Sequence, residues 1–256
     1  MGYKYHKIPK SEVIDKIPET DLIFENVNDC LESIDINNEE VAAISIDDKA
    51  TKKIGKFSDN GYSWLNIKAL DHDTIFKWSV KPFGILDLKT NETFITCTIY
   101  TSTAEFKVDC IENYVIGKNQ KCKLKKLLIF LDNGPENSSR RRLWLKQLKK
   151  LSVKYNLVIQ LVYYPPYCSK YNKIERVWAR VQMQWRRITI DSLDVLIDCL
   201  NKITWKNINM KGYLSTKKYE KGIKVSNYEM ESKINPHIIR EEGLEKWSLV
   251  ITPYTN

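Results

Sequence analysis

Three carboxylates stand where an apolar stretch of the sequence gives way to a turn or a helix start. Asp47 follows the strand-like segment VAAISI, Asp132 follows the run LLIFL, and Glu175 falls in the first turn of a helix that starts near Asn172. In open α/β sheets, chemistry gathers at the carboxyl ends of strands, so both aspartates occupy positions where a site is expected. A third acid on a nearby helix would complete an all-oxygen cage. Mg²⁺ or Mn²⁺ prefers such hard ligands, and paired ions in phosphoryl-transfer sites lie ~3.5–4 Å apart. Each acid also has an ordinary structural use. Asp is common at strand exits, and Glu175 would complete a capping box with Asn172. A Glu bound to its own helix start has less freedom to hold a metal.

The elements that must carry these acids are legible from periodicity. Val41 opens a strand, and Asp59-Asn60-Gly61 is a tight-turn signal. FGILDLK and TFITCTIY read as two strands joined by Thr90-Asn91-Glu92. Ser102 and Glu105 form a capping-box pattern ahead of a helix with Phe106, Cys110, Ile111 and Tyr114 on one face. The run Leu127–Leu131 reads as a strand buried on both faces. A helix follows from about Ser139, then a strand over 157–164 that stops at Pro165-Pro166. Further helices are expected near Asn172, with Trp178 and Trp185 in the core, and after Asp191. The fold class is α/β: a mixed sheet flanked by helices. Residues 1–40 read as an acidic lead-in or linker, 41–190 as the core and 191–256 as a helical C-terminal extension.

Charge narrows the partner. The 256 residues hold 41 Lys+Arg and 32 Asp+Glu, a net of +9. Residues 1–48 carry a net of −8 and the remainder +17. A basic body suits a polyanion, nucleic acid before a membrane surface. No apolar run approaches a membrane span, and the N-terminus has no signal-peptide stretch. The cysteines form no CxxC pair and read as reduced core residues of a cytoplasmic protein. With only His6, His72 and His237, a zinc site is not expected.

The basic residues cluster beside two of the acids. Arg140, Arg141 and Arg142 open the helix after Asp132, while Lys170, Lys173, Arg176 and Arg180 surround Glu175. They are candidates for gripping phosphates along a strand, although lysine and arginine on a polar helix face often only solvate it. Tyr163, Tyr164, Tyr167 and Tyr171 are candidates for stacking on unpaired bases, or for packing at a strand end.

Two blocks carry a family resemblance: DNGPENSS, beginning at Asp132, and YYPPYCSKYNKIERVW, around Glu175. They resemble the signature blocks of DDE-type insertion-sequence transposases, nearest to the ISAzo-type group and more distantly to mariner-like enzymes. The resemblance extends through KIPETDLIFENV, ISIDDKATKKIGKFS, KALDHD, PFGIL, TWK and YEKGIKVS. It implies a ribonuclease H-like fold and a triad at Asp47, Asp132 and Glu175 holding two Mg²⁺ or Mn²⁺ ions. Asp48 is the neighbour of a triad position, Glu136 matches none, and Lys173 stands where many relatives carry Pro.

The activity implied is cleavage and strand transfer of DNA, acting on transposon ends and target. A homodimer and a cytoplasmic, nucleoid-associated location are implied with it. Such transposases carry a helix-turn-helix region ahead of the core. Residues 1–40 show no such pair, so a separate N-terminal helix-turn-helix half is an expected partner. Two other readings stand at this point: a ribonuclease H-fold nuclease without strand transfer, and an inactive truncated transposase that only binds DNA.

Overall fold

A computed structural model of the chain describes residues 17–56, residue 69 and residues 76–255. The Asp59-Asn60-Gly61 turn and His72 lie outside the described residues. In chain order the first half comprises α1 (Thr20–Glu32), β1 (Val41–Asp48), β2 (Lys52–Ile54), β3 (Trp78–Asp87), β4 (Thr93–Thr98), α2 (Ala104–Asn119) and β5 (Lys126–Leu131). The second half comprises α3 (Arg142–Tyr155), β6 (Val158–Tyr163), α4 (Glu175–Trp185), α5 (Leu193–Lys202), β7 (Thr204–Trp205), β8 (Ile208–Asn209) and β9 (Lys211–Ser215). It ends in a short helical stretch, α6 (Asn227–Glu229), and strands β10 (Ile238–Arg240) and β11 (Ser248–Ile251).

One mixed sheet holds eight of these strands in the order β10-β11-β6-β5-β1-β3-β4-β9, and β2 pairs with β3 off that path. β1, β5 and β6 run parallel, while β3 lies antiparallel to β1. Helices flank the sheet, as expected of a ribonuclease H-like domain. Strand alternation assigns the flanking layers. On β3, Phe83 packs on Phe106 of α2, whereas Gly84 faces Ile174 and Trp178 at the start of α4. On β4, Phe94 meets Tyr114 of α2, whereas Ile95 and Cys97 join the apolar cluster of α4 and α5. The other cluster unites α1, α2 and α3 with β1, β5 and β6.

Local chemistry explains several boundaries. α2 starts at Ala104 because Thr103, not Ser102, is its cap: the Thr103 hydroxyl accepts from the Phe106 N–H. Ser102 is engaged elsewhere, donating to Asp48 at 2.8 Å. α3 begins at Arg142, after a loop, and ends on Asn156 in the left-handed region at φ 50°. Asn91, at φ 61°, turns β3 into β4.

The acidic beginning contains a helix the sequence did not announce. α1 buries Ile23, Val27 and Cys30, spaced four and three residues apart, and packs against β6. The stretch after residue 190, expected to be helical, also supplies three strands to the sheet: β9 beside β4, β11 beside β6, and β10 outside β11. All six cysteines are free thiols, and Cys30, Cys97, Cys110 and Cys168 are buried. No helix among the described residues is long and apolar enough to cross a membrane.

Candidate carboxylate active site

Parallel strands β1 and β5 bring two of the acids to one edge, and the chain that leaves β6 leads to the third. Ser45 of β1 lies opposite Phe130 of β5, so two further steps along each parallel strand bring Asp47 level with Asp132. Leu131 lies opposite Tyr163 of β6, so the chain leading toward α4 leaves from the same end. Alternation then separates the adjacent aspartates. Asp48 turns to the α2 side, where its carboxylate meets the Lys107 ammonium and the Ser102 hydroxyl. Asp47 turns to the α4 side, where its Oδ2 accepts from the Trp178 indole N–H at 3.1 Å.

Glu175 opens α4, and the start of that helix is tied to β1 through a buried polar strap. The Ser45 hydroxyl donates to Asn172 Oδ1, the Asn172 amide donates to the Ile46 carbonyl at 3.0 Å, and the Ile174 N–H donates to Ser45 Oγ at 3.1 Å. Asn172 therefore braces β1 instead of pairing with Glu175 in a capping box. The helix cap is Ile174, with no side-chain cap bond, and Glu175 meets Asn172 only through backbone. That leaves the Glu175 carboxylate outside the helix-start hydrogen bonding. Close approach of α4 to the sheet depends on Gly84, which pairs with Asp47 across β1 and β3. A Cβ there would stand 2.6 Å from Trp178 Cζ2 and 2.8 Å from Ile174 Cδ1.

Asp132 sits at the mouth of the DNGPENSS loop. The Asn137 amide donates to the Asp132 carbonyl at 2.9 Å and to its Oδ1 at 3.1 Å. Tyr163, fully buried, donates to the Asn137 carbonyl at 2.9 Å and pins the loop to the end of β6.

The electrostatics reflect crowded negative charge. Burial first, then the charges of Asp132, Glu175 and Asp48, push the Asp47 carboxyl from 3.8 up to about 8. Glu175 is also raised, by burial and by Asp132, against the opposing pull of Lys49. Lys49 lies over the Trp178 and Trp185 rings at 5.9 and 5.7 Å. The described residues contain no group of three or more His, Cys, Asp or Glu already gathered to coordination distance. The donor set nevertheless fits a hard divalent cation. It is all oxygen, and a cation bound there would offset both the burial and the neighbouring negative charges that raise Asp47.

Residues 1–253 match the family model described as the Rhodopirellula transposase DDE domain. The chain belongs to this transposase family. A comparison with curated proteins found no match. A transposase domain acts on DNA, and the surface around the carboxylates bears on how. Arg140, Lys170, Lys173 and Arg176 are exposed, and Arg180 is half-buried one turn beyond Arg176 on α4. Arg141 is partly engaged by Glu136 at 3.3 Å. Of the four tyrosines, Tyr163 and Tyr164 are buried packing residues, whereas Tyr167 is 75% and Tyr171 48% exposed. Tyr167 has a left-handed backbone at φ 60°, and Tyr171 rests edge-on against Phe24 of α1.

A cleft of about 1000 Å³ lies elsewhere on the transposase domain, between α2, β4 and β9. Three of its four lysines are already matched, Lys118 with Asp87, Lys211 with Glu92 and Lys217 with Asp109. We therefore weigh the open carboxylate edge above it, since a nucleic-acid strand needs no enclosed cavity. Sequence reasoning missed Lys107, Asn137 and the indole N–H of Trp178. Lys107 reads as an ordinary surface lysine of a helix. Asn137 lies inside the signature block, which was its only signal.

Proposed function

We propose that this transposase domain cleaves DNA strands and transfers their ends through a divalent-metal centre held by Asp47, Asp132 and Glu175. One observation carries the reading: Asp47 is buried within electrostatic reach of Asp132 and Glu175, and burial first, then their charges, raise it to about 8. Asp47, Asp132 and Glu175 would hold Mg²⁺ or Mn²⁺, which when bound activates water or a 3′-hydroxyl for in-line attack and stabilises the leaving oxygen. The remaining work belongs to side chains of the chain. Trp178 and Asn137 each donate to one carboxylate oxygen and so fix which lone pairs face the substrate. Lys107 and Ser102 keep Asp48 on the opposite side of β1.

Phosphate contacts are assigned to Arg140, Arg141, Lys170, Lys173, Arg176 and Arg180. Local electrostatics support the arginines. A helix N-terminus favours anions and disfavours cations, yet Arg140, Arg141 and Arg142 stand at the start of α3 and no acid lies in its first turn. A phosphate bound there would offset that repulsion.

Purified protein with Mg²⁺ and supercoiled DNA should give nicked product, and with pre-cut element ends it should give DNA joined to a target. Asp132→Ala should reduce both by about a hundred- to a thousandfold, the scale expected when a charge-stabilising group is removed from a reaction centre. Undiminished nicking by that variant would remove Asp132 from the mechanism. Nicking without any joined product would leave a nuclease.

A further inference from the structure

We propose that Lys107 is a positioning residue for this centre, acting on Asp132 through the side-chain amide of Asn137. The inference rests on the function proposed above.

Lys107 lies in the second turn of α2 and is 3% exposed. A lysine so buried is stable only when its charge is met. Its ammonium meets the Asp48 carboxylate, Asn137 Oδ1 at 2.9 Å and the Phe83 ring at 5.9 Å. An ammonium has three donors and no acceptor. The Asn137 atom facing it must therefore be the carbonyl oxygen, and the NH₂ group must point away, toward the carbonyl and Oδ1 of Asp132. The cation on α2 thus sets the orientation of an amide, and the amide sets which Asp132 oxygen is engaged. With Oδ1 accepting from Asn137, Oδ2 is left to serve the centre.

The surroundings keep this relay short. Tyr163 holds the Asn137 backbone. A Cβ at Gly134 would stand 3.1 Å from Asn137 Oδ1 and 3.4 Å from Asp132 Oδ2, so the turn is tightest where the relay passes. Without the ammonium, the Asn137 amide oxygen is left buried without a donor, and the amide is held on one side only, free to swing away from the Asp132 carboxylate. The other partner of Lys107, Asp48, lies on the face of β1 opposite to Asp47, so the route from the cation to the centre runs through Asn137.

The test reads Mn²⁺ binding to the folded protein by calorimetric titration, without DNA, beside thermal melting and the Mg²⁺ dependence of nicking. Lys107→Met and Asn137→Ala should each weaken Mn²⁺ binding by about 10- to 100-fold, the range for groups that orient metal ligands. The double variant should be no weaker than Asn137→Ala alone, because one acts through the other. Lys107→Arg, which keeps a buried donor cation, should recover part of the loss. In nicking assays the loss should fall on kcat and on half-saturating Mg²⁺, with KM for DNA little changed.

A lowered melting temperature with wild-type Mn²⁺ affinity would reduce Lys107 to a structural ion pair and overturn the proposal. So would additive losses in the double variant. Should Lys107→Met fail to fold, Asn137→Asp carries the test, since it places a second carboxylate against Asp132 in place of the donor. Unchanged affinity in that variant again overturns the relay. Failure of the underlying function looks different: Mn²⁺ binding in the unsubstituted protein would then be absent or insensitive to Asp132→Ala.

Discussion

Asp47 holds a proton at neutral pH in the metal-free fold, and this has a defined cost in stability. Its carboxyl titrates at about 8 in the folded chain against an ordinary value of 3.8. Below about 4 both states are protonated and nothing is lost. Between about 4 and about 8 the unfolded chain releases a proton that the folded chain keeps, so stability falls as pH rises through this window and stays low above it. Asp47→Asn removes the titration. The variant should melt higher than the unsubstituted protein at pH 8 without divalent ions, by about 2–4 °C for each kcal/mol relieved. The gain should vanish near pH 4, and nicking should be abolished. Scanning calorimetry at both pH values checks the sign; a melting temperature lowered at pH 8 would contradict the crowding described here. Such an exchange of stability for chemistry is expected where like charges are held together for function.

At the level of elements, the site depends on α4 being seated against the sheet. Ser45 and Asn172 are almost wholly buried and join β1 to the start of α4, while Gly84 leaves the space that Ile174 and Trp178 fill. Gly84→Ala should cost about 1–3 kcal/mol through overpacking and should lower nicking by displacing Glu175 and Trp178. Gly117→Ala is the control. A Cβ there meets nothing within 4 Å, and the helix should gain about 0.5–1 kcal/mol. Denaturant melts of both variants should move in opposite directions.

The same elements mark how much the sequence disclosed. β1, β5 and β6 were legible because short apolar runs ending in Asp or Pro are local signals, and Asp47 and Asp132 came with them. Asn172 was read as a helix cap because its true partners, Ser45 and Ile46, are more than 120 residues away in sequence. α1 was hidden for another reason. Its few apolar residues are spaced for one narrow stripe among acids, and short helices gain most of their stability from docking. β10 and β11 are three and four residues long, too short to show a period, and are defined by the strand each one joins.

Taken as a whole molecule, the net charge of +9 conceals local pairing. Lysines on the flank formed by α2 and β9 are bound to acids of the same flank, and Lys125 pairs with Glu40. The face proposed above for DNA is instead formed by the cations around α4 and the start of α3, which neighbour Glu175 and Asp132 along the chain; charge counting alone does not choose between the two sets. The salt dependence of DNA affinity separates the two sets. Arg176→Ala and Lys173→Ala should each reduce the slope of log affinity against log salt by about 1 and weaken binding equally for all sequences. Lys217→Ala, on the paired flank, should leave the slope unchanged. Fluorescence-anisotropy titrations over a range of NaCl concentrations measure this directly, and an equal loss at Lys217 would relocate the interface.

The strand order carries a consequence for how the chain reaches this state. β1, β5 and β6 are assembled from residues well before α5, but the sheet is closed by partners from far downstream: Phe94 pairs with Lys211, and Val162 with Ser248. Non-local pairings of this kind are slow, because a long loop must be closed before any contact stabilises it. During synthesis, β6 therefore remains an open edge, with the backbone of Ile159 and Leu161 unpaired on one side, until β11 emerges. Open apolar edges are templates for pairing with other chains. The carboxylates are in the polypeptide early, and the late, aggregation-exposed event in its maturation is the closing of the sheet around them.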